Sequence, residues 1–409
     1  MSEQWPAVTV GEISSLITSG STPRGGRQCY APAGVPFIRS LNVWPGRLEI
    51  DPAACITPSV HQQMTRSRVI PGDVLLTITG EGTLGRATDV PPAVSEANIN
   101  QHVCLIRPVR KIADSRFLSY ALNSEALQKQ MSQMQAGATR AALNHALVAA
   151  LRVALPPLPE QRRIAVQLDK IAAKVEEARE LRDSALAQAE VLFRSSLSAV
   201  LRDQVARHGT TDLGRLIADA RYGTSVHCSV VRTAGDVPVL RIPNVSSESI
   251  TVDDLKYGVL PAEQLQRVSV ADGDILIVRT NGNPDLVGRA AVVSDLPEPT
   301  CFASYLIRLR CNREVMVPEF LQYVLRDLRY RGEVLASART SAGQFNISVG
   351  RLRQLRVPAP PLAEQHSVVA YLDRVREGVG SLRSLQSQTI ADIEGTMSSA
   401  LDAAFRGRL

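Results

Sequence analysis

The chain of 409 residues is 44% hydrophobic and carries a net charge of +6, which excludes wholesale disorder and suits two to three domains with real cores. No apolar stretch approaches the roughly 20 residues that span a bilayer, and no basic region followed by an apolar run signals secretion. Six scattered cysteines (Cys29, Cys55, Cys104, Cys228, Cys301, Cys311) form no C-x-x-C pair, so reduced thiols in a cytoplasmic protein are expected.

Charge divides unevenly along the chain. Residues 1–158 carry a net +4 and residues 206–361 a net +3, whereas 159–205 are neutral and 362–409 carry −1. Nearly all the cations are arginine, whose fork binds phosphate and guanine bidentately. A genome rich in G and C would favour arginine codons equally well, so composition alone assigns no partner.

In chain order the elements occur twice. Val35-Pro36-Phe37-Ile38-Arg39, with Asn42 three residues beyond, answers to Val237-Pro238-Val239-Leu240-Arg241 with Asn244. The run Val74 to Thr79, rich in β-branched residues and preceded by Gly72-Asp73, predicts a strand and answers to Ile275 to Val278 behind Gly273-Asp274. A glycine loop follows, ending in Gly85-Arg86-Ala87 and Gly288-Arg289-Ala290. Phe117 to Gln135 and Pro318 to Val334 then predict helices from the spacing of Phe, Leu and Tyr. A polar turn comes next, Gly137 to Asn144, set against Ser341 to Asn346. Each copy closes with Pro-Pro-Leu-x-Glu-Gln at 156–161 and 360–365. The offset between copies stays at 201–204 residues throughout, which marks a duplication.

After each Pro-Pro-Leu block comes a segment of about 45 residues without proline, a helix start followed by a long apolar stripe. Ile164, Leu168, Ile171 and Val175 follow a +4, +3, +4 rhythm that Val368, Leu372, Val375 and Val379 repeat. At about 1.5 Å per residue such a rod measures roughly 65 Å. Each stripe needs a partner, and its duplicate on the same chain is the natural one, packed antiparallel; a helix folded back onto its own globular unit is the alternative. The expected architecture is α/β (α+β): two similar mixed α/β domains, residues 1–158 and 206–361, separated by two long helices, 159–205 and 362–409, that form an antiparallel coiled coil.

Catalytic signatures are missing. Gly80-Glu81-Gly82-Thr83-Leu84-Gly85 fits G-x-G-x-x-G, but Pro91-Pro92 follow where a helix should start, and the second copy keeps only the last glycine. No phosphate-binding loop, methyltransferase tetrapeptide or metal-ligand spacing occurs, and the histidines are isolated. The residues therefore describe a binder without catalytic or metal sites. Candidate DNA contacts are the matched pairs Arg39 with Asn42 and Arg241 with Asn244, and Arg86 and Arg289 as phosphate contacts. Asn281 and Asn283 join them in the second glycine loop, with Thr139, Arg140 and Asn144, and Gln344 and Asn346, in the polar turns. For each residue taken singly, a solvated loop side chain is the competing reading.

Pro-Pro-Leu-x-Glu-Gln opening a long helix, repeated after two domains that carry Gly-Asp-[Val/Ile]-Leu and a Gly-Arg-Ala loop, resembles the specificity subunit of type I restriction–modification systems over essentially the whole chain. The resemblance implies two target-recognition domains, each reading one half of a split, asymmetric double-stranded DNA sequence, with the helices fixing the spacer. It also implies two methyltransferase (modification) subunits and, for cleavage, restriction (motor-nuclease) subunits as partners. S-adenosylmethionine and ATP would then belong to those partners and no cofactor to this chain. A specificity subunit whose partner fuses methyltransferase and nuclease, and a helical scaffold without DNA readout, are the alternatives.

Overall fold

The apolar runs at 74–77 and 274–278 alternate between two cores instead of between core and water. In the computed structural model, Val74 and Leu76 enter one hydrophobic cluster and Leu75 enters another; Ile275 and Ile277, against Leu276 and Val278, do the same. A strand covered on both faces has no reason to alternate with polar residues, so its sequence reads as continuous hydrophobe. The structure describes residues 5–23, 30–50, 54–134, 142–245, 249–336, 338–341 and 344–408. By contacts they fall into two units, Met1–Arg182 with Gln386–Leu409, and Asp183–Leu385.

In the first unit a four-stranded antiparallel sheet runs Ala87–Asp89, Val74–Thr77, Val103–Pro108, Ser14–Ser19. In the second the corresponding order is Ala290–Val292, Asp274–Val278, Leu306–Cys311, Ile217–Tyr222. A second, mixed sheet accompanies each. Val35–Ile38 pairs parallel with Ala97–Ile99, and Val237–Leu240 pairs parallel with Cys301–Phe302. The repeated Gly-Asp turn has a structural cause. Asp73 and Asp274, both almost wholly buried, each accept two hydrogen bonds from one guanidinium, Arg107 at 2.7 and 2.8 Å and Arg310 at 2.8 and 2.7 Å. Each also accepts from a backbone N–H three residues back, so a carboxylate taken out of water is fully compensated.

The helices expected at 117–135 and 318–334 are each two helices. Ser115–Asn123 and Glu125–Met134 break at Ser124, and Pro318–Arg326 and Leu328–Ala336 break at Asp327. Both breaking residues have extended backbone, and each bonds the local main chain through its side chain: the Ser124 hydroxyl donates to Ala121 O, and the Asp327 carboxylate accepts from Arg329 N. A short polar side chain that satisfies the backbone locally competes with the helical ladder, which hydrophobic periodicity does not register.

Leu158–His208 and Leu362–Phe405 are the long helices, 51 and 44 residues. What ties each to its globular domain is the glutamine of Pro-Pro-Leu-x-Glu-Gln. Gln161 is wholly buried: its Oε1 accepts from Asp114 N at 2.8 Å, while Nε2 donates to Ile112 O and Pro156 O at 3.0 and 2.8 Å. Gln365 repeats the set with Val317 N, Val315 O and Pro360 O, each at 2.8 Å. Two turns later Tyr120 donates to Asp169 at 2.7 Å and Tyr323 to Asp373 at 2.6 Å.

In the first unit Ile164, Leu168 and Ile171 share a cluster with Met397, Ala400, Leu401, Ala404 and Phe405. In the second, Val368, Leu372, Val375 and Val379 share one with Phe193, Leu197, Val200 and Leu201. Within each unit, then, the first turns of one helix pack beside the last turns of the other, an antiparallel arrangement. Each pair also packs against its own domain, as Phe405 does on Phe117 with ring centroids 5.3 Å apart. The expectation of helices folded onto helices and the alternative of helices folded onto domains are therefore both partly realised. Among the described residues no helix is long and apolar enough to cross a membrane.

Candidate nucleic-acid interface

Where the central strands end, four segments converge in each domain. In the first copy Ile78 N bonds His102 O and Leu143 N bonds Ile78 O, both at 2.9 Å. In the second, Arg279 N bonds Tyr305 O at 2.9 Å and Ile347 N bonds Arg279 O at 3.0 Å. The fourth segment leaves the outer strand at Ser19-Gly20 and Tyr222-Gly223. A Cβ on Gly20 would lie 1.7 Å from Ile99 O, and one on Gly223 2.2 Å from Phe302 O, so only glycine allows this close approach. The backbone bonds that join these segments at 78, 102 and 143 recur at 279, 305 and 347. The side chains there differ between the copies.

On the first edge Thr79 Oγ1 meets His102 Nδ1 at 2.5 Å and Gln101 Nε2 lies 3.2 Å from His102 Nε2. Thr22 donates to Gln101 Oε1 at 2.7 Å, and His145 Nε2 meets Ser19 Oγ at 3.0 Å. On the second edge Arg279 replaces Ile78, Tyr222 replaces Ser19, and Tyr305 replaces His102. Arg279 donates to Asn346 Oδ1 at 2.9 Å and to Ser304 O at 3.2 Å, with its guanidinium 4.4 Å from the Tyr222 ring centroid. Gln344 is exposed, its Oε1 3.4 Å from Thr280 Oγ1, and Tyr305 is 56% exposed. Amides, imidazole, guanidinium and tyrosine are the groups that bond or stack on bases.

The candidate contacts read from sequence fall into three groups. Gln344, Asn346 and Asn281 lie at the second edge: Thr280 pairs with Asn346 and Asn281 with Phe345 in one small sheet. Asn283 is exposed nearby and holds a turn by accepting from Asp285 N at 2.9 Å, as Asn281 does from Asn283 N at 2.8 Å. Thr139 and Arg140 lie outside the described residues.

The second group is held by the protein's own backbone and side chains. Asn42 and Asn244 are each 1% exposed and accept from Arg39 N and Arg241 N at 2.9 and 2.8 Å. They close a turn, and both copies keep them because both copies make that turn. Arg39 is half-buried above the first turn, and Arg241 donates to the Asp254 carbonyl and carboxylate at 2.8 and 3.0 Å. Arg86 donates to Gly82 O at 2.7 Å and stacks on Trp44, its guanidinium 4.3 Å from the ring centroid. Arg289 donates to Asp285 O at 2.8 Å. Both arginines fold back on their own loops, and each loop joins two antiparallel strands, not the strand and helix of a dinucleotide site.

The third group is a matter of register. Asn144 caps the helix His145–Ala150 by accepting from Leu147 N at 2.9 Å, and its counterpart is Ser348, which caps Val349–Arg353 by accepting from Arg351 N at 3.3 Å. Asn346, which the sequence pairs with Asn144, stands two residues earlier. Asn144→Ala and Ser348→Ala should each lower stability by about 1 kcal/mol in chemical denaturation. A residue kept only for base contact would leave stability unchanged and alter DNA preference instead.

Sequence reasoning missed Gln101, His102, Tyr222, Arg279 and Tyr305. The available signal was a difference between copies immediately after a matched apolar run. Among the described residues no group of three or more His, Cys, Asp or Glu side chains could hold a metal ion.

Residues 2–183 match the family described as "Type I restriction modification DNA specificity domain". The whole chain aligns with the type I restriction enzyme StySPI specificity subunit of Salmonella potsdam and the EcoKI specificity subunit of Escherichia coli K12, each at 22% identity over 89% of the relative. Among solved structures, a chain from work on complex assembly and conformational transition of the type I R-M system superposes with a TM-score of 0.74, at 23% identity over 99% of this chain and 98% of that one. The HsdS subunit from Thermoanaerobacter tengcongensis gives 0.58, at 22% identity over 100% and 98%. Duplicated domains, glutamine-locked helices and relatives aligned end to end agree: residues 2–183 carry a type I restriction–modification DNA specificity domain, and the chain as a whole is similar to specificity subunits of type I restriction enzymes.

Proposed function

We propose that each edge reads one half of a bipartite, asymmetric duplex DNA site, the first through Gln101 and His102, the second through Tyr305, Gln344 and the Arg279–Asn346 pair. The observation that carries the reading is a matched set of backbone bonds bearing two different sets of side chains of the kinds that bind bases. A duplicated structural scaffold would keep its tips alike, whereas two readers of different half-sites must differ there. In this reading residues 1–158 and 206–361 are the target-recognition domains, and helices 159–205 and 362–409 set the spacer between half-sites. Specificity subunits of type I restriction enzymes are non-catalytic. Two methyltransferase subunits, with S-adenosylmethionine, and ATP-driven restriction subunits would bring the chemistry to cytoplasmic DNA.

Methylome sequencing of a host that carries this gene with its methyltransferase gene tests the reading. A single split motif, two short defined halves around an unspecified spacer, is expected. Methylation without such a motif would overturn it, as would micromolar S-adenosylmethionine binding by the chain alone.

A further inference from the structure

Besides the edge, the second unit has a cleft of about 570 Å³ lined by six arginines, Arg194, Arg289, Arg326, Arg331, Arg376 and Arg383, against two carboxylates, Glu190 and Asp327. The arginines come from four parts of the fold: the late turns of the first long helix, the glycine loop, the broken helix pair and the second long helix. Several are held in place. Arg326 lies over the Phe193 ring at 4.6 Å, Arg376 bonds Asp373 at 2.9 Å, Arg383 bonds Glu190 at 2.5 Å, and Arg331 donates to Asp285 O.

Two observations say that packing does not explain this concentration. In the first copy, positions matching Arg194, Arg326, Arg331 and Arg376 are Ser398, Asn123, Gln128 and Ala172, so the same framework folds without those cations. Gly380 also lines the cleft from inside a helix, where glycine costs about 1 kcal/mol relative to alanine. A Cβ there would meet nothing within 4 Å. The fold does not require that glycine, and any side chain there would stand at the wall of the cleft.

We infer that this cleft binds a phosphate-bearing ligand, either the sugar–phosphate backbone of a DNA strand or a free polyphosphate. Several planar forks lining one cleft suit a tetrahedral anion that accepts several hydrogen bonds at once, and a concave site favours such a compact group over an extended acidic protein surface. The inference is independent of base reading at the sheet edges.

The test uses the full chain with sodium tripolyphosphate as probe in calorimetric titration, and duplex DNA binding measured across salt concentrations. Arg194→Ser with Arg331→Gln installs the residues of the first copy, and Gly380→Leu fills the cleft while favouring the helix. Wild-type binding of tripolyphosphate, weakened about tenfold or more by either change, is expected (about 1.4 kcal/mol). If the double variant also lowers the DNA salt slope by about 2, the source is the DNA backbone, even where tripolyphosphate itself binds poorly. An unchanged slope beside lost tripolyphosphate binding assigns a free polyphosphate. Wild type that ignores tripolyphosphate, together with an unchanged slope in the variants, overturns the inference. Poly-glutamate binding as tightly as tripolyphosphate overturns it too, in favour of an acidic protein surface.

Discussion

Replacing Gln161 by leucine should destabilise the first unit by about 3–5 kcal/mol, and Gln365→Leu should do the same to the second. Leucine nearly matches glutamine in volume, so no large cavity arises. What changes is that Asp114 N, Ile112 O and Pro156 O lose their partner inside a site from which water is excluded. Each orphaned buried group costs about 1–3 kcal/mol, and the added apolar burial returns only about 1–2 kcal/mol. The neighbouring glutamate of the same motif makes the control. Glu160 bonds Arg163 at the surface, at 2.8 Å, an exposed i,i+3 pair worth at most about 0.5 kcal/mol, so Glu160→Ala should be nearly silent. Urea unfolding of the three single variants checks this. If the glutamine changes were as mild as the Glu160 change, the glutamine would not be the joint between domain and helix.

That contrast shows why part of the fold was legible in the sequence and part was not. Pro-Pro-Leu-x-Glu-Gln announces a helix start by proline and early acid, local rules that need no partner. The buried role of its glutamine depends on carbonyls about 50 residues away, at 112 and 315, which no spacing reveals. The central strands were legible because burial on both faces leaves an unbroken apolar run. The breaks at Ser124 and Asp327 were not, because one polar residue in a periodic stretch looks like an ordinary surface position. The candidate contacts follow a different logic. Asn42 and Asn244 attract notice by recurring in both copies, yet recurrence in a duplication selects what the shared scaffold needs, here a closed turn. Residues that serve different half-sites must differ between copies. Under the proposed two-reader function the signal is therefore Ile78 against Arg279 and His102 against Tyr305, places where an otherwise matched framework changes its chemistry.

Gln101→Ala and His102→Ala should each weaken discrimination at one half-site by about 1–3 kcal/mol, roughly 5- to 100-fold, and leave the other half-site untouched. Tyr305→Ala and Gln344→Ala should act in the same way on the other half. All four side chains stand at the ends of strands whose backbone bonds do not involve them, so truncation should leave the fold intact. Affinity for random duplex should also hold, because phosphate contacts supply most non-specific binding and the role proposed for these groups is to meet base edges. The measurement is competition binding by the complex with methyltransferase, using the methylated motif with each half altered in turn. Combining Gln101→Ala with Gln344→Ala should give the sum of the single effects to within about 0.5 kcal/mol, since the two residues belong to separate units without shared partners. Equal weakening on random DNA would make these residues phosphate contacts. A Gln101 variant that relaxed both half-sites together would contradict two independent readers on one chain.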